Sequence, residues 1–498
     1  MLLTASVFSE PTLITYVFLA LAILLALSFE FVNGFHDTAN SVATVIYTNT
    51  LKATPAVVWS GIWNLIGVLT SSGLVAFGIV ALLPVELVLN IGSAAGFAMV
   101  FSLLISAILW NVGTWYLGLP ASSSHTLIGS IIGVGFASSL LSPSHSISQG
   151  INWAKAQDVG LSLLISPMVG FCASALLLLL CKALIKNPSL YRAPKGETPP
   201  PLWIRAILVL TCTGVSFSHG SNDGQKGIGL IILILVGILP GTYALKMSAD
   251  PSTVSEVVIA AKALGAVFEK SAAGVSVNDP ESNPVLTGYI KSSEKLSPKV
   301  FAALEDKCGD LSRRLETSKT IEDVPPDERG TVRTDLYLIL KTVGKMQRAG
   351  TFTDPTDLTK AAQLKKSGDK LTNFIPAWVI YAVALALGLG TMIGYKRIVV
   401  TVGEKIGKHH MTYAQGGAAE LVAMCTIFVA SNYGLPVSTT HVVTSGIAGT
   451  MAANKSGLQM RTLRNILMAW ILTLPVCIFL GALLFAFGLN LVALLGLR

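Results

Sequence analysis

Apolar residues are grouped along the chain in blocks of bilayer length, separated by short polar segments. About 20 residues of helix cross a hydrocarbon layer. The runs 12–32, 56–83, 98–119, 161–184, 203–217, 227–245, 375–394, 414–430 and 466–489 reach or approach that length. With shorter apolar pieces left over, the pattern predicts an all-α polytopic membrane protein of about ten transmembrane helices. The first run holds Glu30 near its end and lacks a small-residue cleavage site, so it reads as a retained span and not a signal peptide. Residues 246–370 break the pattern with 19 Lys/Arg and 18 Asp/Glu. Within them, 296–315 and 331–346 place apolar residues at helical spacing, which predicts a soluble, partly helical insert. The chain then divides into a first membrane repeat (1–185), a basic loop (186–202), the start of a second repeat (203–245), the insert (246–370) and the remainder of the second repeat (371–498).

Composition agrees with bilayer residence. The 498 residues are 52% hydrophobic and only 12% charged, where an ordinary soluble domain carries about 25%; mean hydropathy is +0.66. The net charge of +8 does not indicate nucleic acid. Its basic residues sit in short loops, as with Lys182, Lys186, Arg192 and Lys195, or Lys396, Arg397, Lys405 and Lys408, the way a membrane protein marks its cytoplasmic side. Six cysteines form no CxxC pair, so neither disulfides nor a metal site is expected from them. No cofactor is expected.

Of 27 acidic residues, nine lie outside the insert. Glu10, Glu86, Asp158, Glu197 and Glu404 fall at span ends or in loops, leaving Glu30, Asp37, Asp223 and Glu420 in apolar surroundings. Intramembrane carboxylates are costly and mark substrate or ion paths. Two of them sit in a repeat. Asn33-Gly34-Phe35-His36-Asp37-Thr38-Ala39-Asn40 and Ser218-His219-Gly220-Ser221-Asn222-Asp223-Gly224-Gln225-Lys226 each place an Asp three residues after a Gly, behind a hydrophobic run. Leu119-Pro120-Ala121-Ser122-Ser123-Ser124-His125 is matched by Leu435-Pro436-Val437-Ser438-Thr439-Thr440-His441. Asp and His stand 88 residues apart in the first half and 218 in the second, and the difference is close to the length of the insert.

Paired Pro- or Gly-interrupted segments in two halves point to a transporter's substrate site. Pro suits the first turn of a helix and the following hydroxyls can cap it, so both Leu-Pro motifs read as re-entrant half-helices starting at mid-membrane. Such an N-terminus has free N–H groups and a partial positive charge, a natural anion site. Ser122, Ser123, Ser124, Ser438, Thr439 and Thr440 supply hydroxyls suited to a small tetrahedral oxyanion. Hydroxyls in membrane helices often bond only to their own backbone; two matched copies argue for more. An ionised Asp beside an oxyanion is repulsive by about 4 kcal/mol per unit charge product at 4 Å and an effective dielectric of about 20. Asp37 and Asp223 therefore imply a coupled cation, or a carboxylate accepting the proton of hydrogen phosphate. His36, His219, His125 and His441 lie in or beside the motifs, with proton relay available to them.

These motifs resemble the inorganic phosphate transporter (PiT) family, over nearly the whole chain outside the insert. Gly-Phe-His-Asp-Thr-Ala-Asn and Ser-His-Gly-Ser-Asn-Asp-Gly-Gln-Lys-Gly are similar to its bacterial low-affinity phosphate permease branch. The resemblance implies secondary transport of inorganic phosphate, with a proton as coupling ion and Mg or Ca complexes of phosphate as further cargo. It also implies an inverted-repeat fold in a bacterial inner membrane, with a homodimer admissible. It places Asp37, Asn40, Asn222 and Asp223 beside the six hydroxyl residues at phosphate, and Asp37, Asp223, Glu420, His36 and His219 at the coupling ion. Sodium-coupled members carry Asn where this chain has His36, and a glutamate in the following span where it has Asn64; Glu420 is read as the retained glutamate of the second half. Proton coupling is therefore expected over sodium coupling. An intramembrane Ser/His/Asp hydrolase is the alternative of another class, and the absence of a Gly-x-Ser-x-Gly elbow counts against it.

Overall fold

A computed structural model describes residues 12–80, 82, 93–141, 153–194, 196–291 and 296–494. Glu10, Glu86, Lys195, most of the end of the 56–83 run and the Asp158 side chain lie outside the described residues. Among the described residues the protein is helical, with no β-strand. The first half contains α1 (Leu13–Tyr47), α2 (Ala53–Leu69), α3 (Leu74–Val80), α4 (Ala94–Tyr116), α5 (Ser123–Leu141) and α6 (Trp153–Leu184). The second begins with α7 (Leu202–Ile238). After α8 (Pro251–Ser271), α9 (Asp279–Lys291), α10 (Pro298–Glu316), α11 (Pro326–Arg348) and α12 (Pro355–Thr372) it resumes. It closes with α13 (Ala377–Thr391), α14 (Lys396–Glu404), α15 (Tyr413–Asn432), α16 (Thr439–Ala453) and α17 (Met460–Leu494).

Eight of these helices are long and apolar enough to cross a membrane, or up to ten if two bent pairs each count as one span. The bends are 76° between α2 and α3 and 70° between α12 and α13. One of the eight, α8, belongs to the insert, where Val254, Val257, Leu264 and Phe268 face an apolar core and not lipid. The expected runs 203–217 and 227–245 are not separate spans. The first, and the second as far as Ile238, lie in the 37-residue α7, about 55 Å long at 1.5 Å per residue. The polar residues between them lower local hydropathy but leave the backbone ladder intact; their side chains are buried, with His219, Asn222 and Gln225 bonded to other segments and Lys226 to Asp223 on α7 itself.

The packing repeats. Helix α2 lies on α7 as α13 lies on α1; α17 lies on α5 as α6 lies on α16; α4 meets α1 as α15 meets α7. Matched glycines make the close approaches. A Cβ at Gly34 or Gly220 would overlap the backbone carbonyl of Leu387 or Asn64, and one at Gly390 or Gly67 that of Phe31 or Phe217. Small residues let membrane helices approach backbone to backbone. The halves therefore interleave, α1 and α7 packing on α13 and α2, and α5 and α16 on α17 and α6, each from the other half.

The insert has its own core, built from residues such as Phe268, Leu304, Leu311, Leu336, Ile339 and Val343. Lys307 and Asp335, both buried, pair at 3.0 Å across α10 and α11. The chain leaves the membrane part and returns at one place. The Lys246 N–H donates to Leu371 O at 2.8 Å, and Arg333 donates to Ala244 O at 2.8 Å and Thr372 O at 3.2 Å.

Candidate functional site

The site begins with a duplicated chain break. Helices α4 and α15 end at Gly118 (φ 66°) and Gly434 (φ 65°), in the left-handed region that favours glycine. The next N–H reaches back five residues in both, Leu119 to Thr114 O and Leu435 to Ala430 O, each at 2.9 Å. This is a Schellman closure, and Pro follows because the helix cannot continue. Two residues on, Ser122 Oγ accepts from the His125 N–H at 3.2 Å and Ser438 Oγ from the His441 N–H at 3.1 Å, starting α5 and α16. Each Pro thus lies in the connecting segment and not, as expected, in a first helical turn.

The two N-termini converge on one carboxylate. Thr440 Oγ1 donates to Asp37 Oδ1 at 2.8 Å. Ser123 and Thr439 donate to Oδ2 at 3.3 and 3.4 Å. Asn40 Nδ2, one turn along α1, donates to Thr440 Oγ1 at 3.0 Å. Asp37 is buried, so it lies between first turns whose leading N–H groups have no intrahelical acceptor.

Two imidazoles flank it. His36 Nδ1 is 3.0 Å from Asp37 Oδ1, and its Nε2 is 3.1 Å from Thr114 Oγ1. The Thr114 hydroxyl donates to Trp110 O at 2.9 Å, so its oxygen accepts from His36 Nε2–H. His219 Nδ1 lies 2.7 Å from Asn64 Oδ1, while Asn64 Nδ2 donates to Thr391 Oγ1 at 3.2 Å. That assigns the proton to His219 Nδ1 and turns Nε2 toward Asp37 (3.7 Å) and Asp223 (3.5 Å). Asp37, His219 and Asp223 offer ligand atoms within 4.8 Å of one another, close enough to share a small cation. A fixed charge adjoins them: Lys226 Nζ donates to Asp223 Oδ2 at 2.7 Å, with both side chains buried.

Several expected binding residues hold other posts. Ser122 and Ser438 are helix caps. Ser124 Oγ donates to Val437 O at 2.8 Å, tying one motif to the other. Asn222 Nδ2 donates to Leu435 O at 3.2 Å and to Ser431 Oγ at 3.3 Å, and so positions the second motif loop. Glu420 accepts from Thr211, twelve residues before Asp223 on α7, about 18 Å along the helix axis. It touches none of the cluster residues among the described contacts. Nor does it match Asn64, which stands on α2 while Glu420 stands on α15, a helix that pairs with α4 in the repeat. The His125 and His441 rings meet at a tilt, centroids 4.5 Å apart, and Trp470 stacks on His441 at 4.0 Å.

Sequence reasoning missed Lys226, Asn64, Thr114 and Thr391 as parts of the site. Only Lys226 had a legible signal, a lysine following a motif Asp by one helical turn inside an apolar block. Glu30 also lies nearer than expected, its carboxyl against Gly227, one turn beyond Asp223.

The Phosphate transporter family matches residues 33–481. The low-affinity inorganic phosphate transporter PitA of Escherichia coli (strain K12) is 41% identical over 493 residues, covering 95% of this chain and 97% of that protein. The low-affinity inorganic phosphate transporter of Buchnera aphidicola subsp. Acyrthosiphon pisum is 39% identical, with 95% and 96% covered. A probable low-affinity inorganic phosphate transporter of Bacillus subtilis is 26% identical, with 95% and 97% covered. A solved structure described as the sodium-dependent phosphate transporter aligns with a TM-score of 0.51 at 18% identity, covering 96% of this chain and 100% of that one. At that identity the likeness concerns the fold alone.

Proposed function

The chain belongs to the Phosphate transporter family, and we propose that it is a low-affinity inorganic phosphate symporter of a bacterial inner membrane, driven by protons. Membership of a transporter family removes the intramembrane hydrolase alternative. The observation that carries the reading is Asp37, held by the first turns of both motif helices and flanked by His36 and His219.

Phosphate entering between the α5 and α16 N-termini meets unpaired N–H groups and the hydroxyls of Ser123, Thr439 and Thr440. Its charge then has to be balanced. Asp37, Asp223 and Lys226 sum to −1, and hydrogen phosphate brings −2. Two imidazoles in contact with the aspartates can take up protons and reduce that excess. Admission of a neutral Mg or Ca complex of hydrogen phosphate removes the ligand's share by another route. A carboxylate that accepts the phosphate proton also disfavours sulfate, which has none at neutral pH. On this reading α5 and α16 are re-entrant half-helices of an inverted repeat, and the insert 246–370 stands off the path.

Sodium coupling is the competing reading, favoured by the Asp37–His219–Asp223 cluster, whose spacing suits a small cation. Reconstituted vesicles loaded with imposed proton or sodium gradients, with and without magnesium, separate the two. Labelled phosphate uptake should follow the proton gradient, persist without sodium, and be competed by arsenate more than by sulfate. Uptake that required a sodium gradient would reject proton drive.

A further inference from the structure

One of the positions at which the two halves of the site differ follows the motif aspartate by a helical turn. Gly34 and Gly220 occupy matching places in the helix packing, which sets α1 and α7 in register at an offset of 186 residues. Asp37 then matches Asp223, and Asn40 matches Lys226. In the first half the residue one turn after the Asp is an amide that reaches across to Thr440 and Thr439 on α16. In the second half it is a lysine that turns back on its own helix and binds the Asp itself at 2.7 Å.

That pairing has no structural use. A salt bridge three residues apart on one helix ties no two elements together, and α7 is already continuous through this region. Burying both charges is expensive in low-dielectric surroundings, and a neutral pair at the same positions would pack as well. The ammonium serves the carboxylate. Asp223 Oδ1 has no partner, His219 Nε2 faces it with none, and the Glu30 carboxyl lies against the side-chain-free face of Gly227 with Oε1 unpaired. Without the lysine, this would be an oxygen-rich, negatively charged pocket with open ligand positions, the environment in which hard cations bind.

We propose that Lys226 is a tethered cation: its ammonium takes, at Asp223, the place that a bound sodium ion would otherwise take. The inference rests on the proton-driven reading above and supplies its structural cause. A cation fixed to the chain is always present, so the site needs no sodium from solution to accept an anion beside Asp223. Protons remain the only cations that must be gathered in each cycle.

The test removes the tether in the full-length protein. Lys226→Met takes away the charge with little change in volume, and Lys226→Asn copies the first half. In proteoliposomes at fixed pH and membrane potential, wild-type uptake of labelled phosphate should be indifferent to sodium. Both variants should lose sodium-free uptake and regain it in sodium by about tenfold. If a variant no longer transports, sodium-dependent thermal stabilisation of the purified protein decides. It should appear in both variants and be absent from wild type and from Lys226→Arg, which keeps the charge. Folded Met and Asn variants that respond to sodium in neither readout would overturn the tether, as would a sodium response gained by Lys226→Arg. A sodium requirement already present in wild type would overturn proton drive instead, leaving the difference between wild type and variants to judge Lys226.

Discussion

Among the described residues two lysine–aspartate pairs are buried, and they differ in what they join. Lys307 and Asp335 belong to separate helices of the insert and meet at 3.0 Å inside its core. Lys226 and Asp223 belong to one helix and meet at 2.7 Å among further titratable side chains, Asp37, His36, His219 and Glu30. The first pair fixes how two helices pack, because either partner alone would be an uncompensated charge in an apolar core. The second fixes nothing about packing, and its surroundings are crowded with open valences: Asp223 Oδ1 and His219 Nε2 lack partners. Burial alone therefore does not identify a functional charge. What separates the two is whether the pair joins two helices or stays within one, beside other titratable groups.

The comparison breaks most easily at the aspartates. Asp37→Asn and Asp223→Asn keep size and hydrogen-bonding capacity and remove charge. Each should lower phosphate uptake by about 100-fold or more, equivalent to about 2.7 kcal/mol of lost stabilisation, while the protein still reaches the membrane. Near-normal uptake by both variants, measured against surface-quantified protein, would put the site elsewhere.

On the other side, Lys307→Met should act on stability and not on transport. Leaving Asp335 charged in the insert core costs about 3–5 kcal/mol, so hydrogen exchange in α10 and α11 should accelerate sharply. Phosphate selectivity against sulfate should be unchanged in the protein that remains folded, and so should that of a chain with the insert shortened. A change of selectivity in either would place the insert on the path.

Glu420 probes the edge of the site. Its carboxylate accepts from Thr211, and glutamine can accept the same bond. Glu420→Gln should cost less than about tenfold in uptake, below 1.4 kcal/mol, and leave the response to sodium as it was. A loss as deep as that of Asp37→Asn would return Glu420 to the coupling machinery.

How much of this could be read from the chain follows from the physics of each signal. Bilayer-length apolar runs and the duplicated Leu-Pro motifs are local patterns, and both marked real elements. The charge of 246–370 is legible in the same way, and helices with an apolar cluster of their own lie there. The continuity of α7 was hidden, because hydropathy averages side chains, whereas a helix persists wherever its backbone bonds do. Capping by a hydroxyl after each Pro was legible, but that Ser122 and Ser438 are the ones that cap, and that Asn222 anchors a loop, was hidden for a different reason. A hydroxyl or amide has the same composition whether it faces a substrate or a backbone N–H, and only the direction of the bond decides. Asn64, Thr114 and Thr391 carry no signature of their own, since they matter through imidazoles that approach them from other helices. Lys226 was visible, but its partner could be inferred only after α7 proved helical through the motif.

The smallest expected effect lies in the insert and shows what an acidic group does when a backbone hydrogen bond is the main thing that tunes it. Asp354 caps α12, accepting from the Thr356 N–H at 2.8 Å, and that backbone hydrogen bond holds its carboxyl below the usual carboxylate range. A carboxylate whose folded pKa is depressed contributes stability that is present above its unfolded value, about 3.9, and is lost as pH falls through the folded value. Asp354→Ala should therefore weaken protection of the first α12 amides at neutral pH, and the difference from wild type should close as the pH drops below that unfolded value. Asp354→Asn, which caps without ionising, should keep the protection and remove its pH dependence. Phosphate uptake should be unaffected by either change, since the group is exposed and distant from Asp37 and Asp223. If the two substitutions gave the same hydrogen-exchange profile at every pH, the charge of Asp354 would add nothing to its cap, and the contrast with Asp37 and Asp223, whose charge the proposed symport requires, would be sharper still.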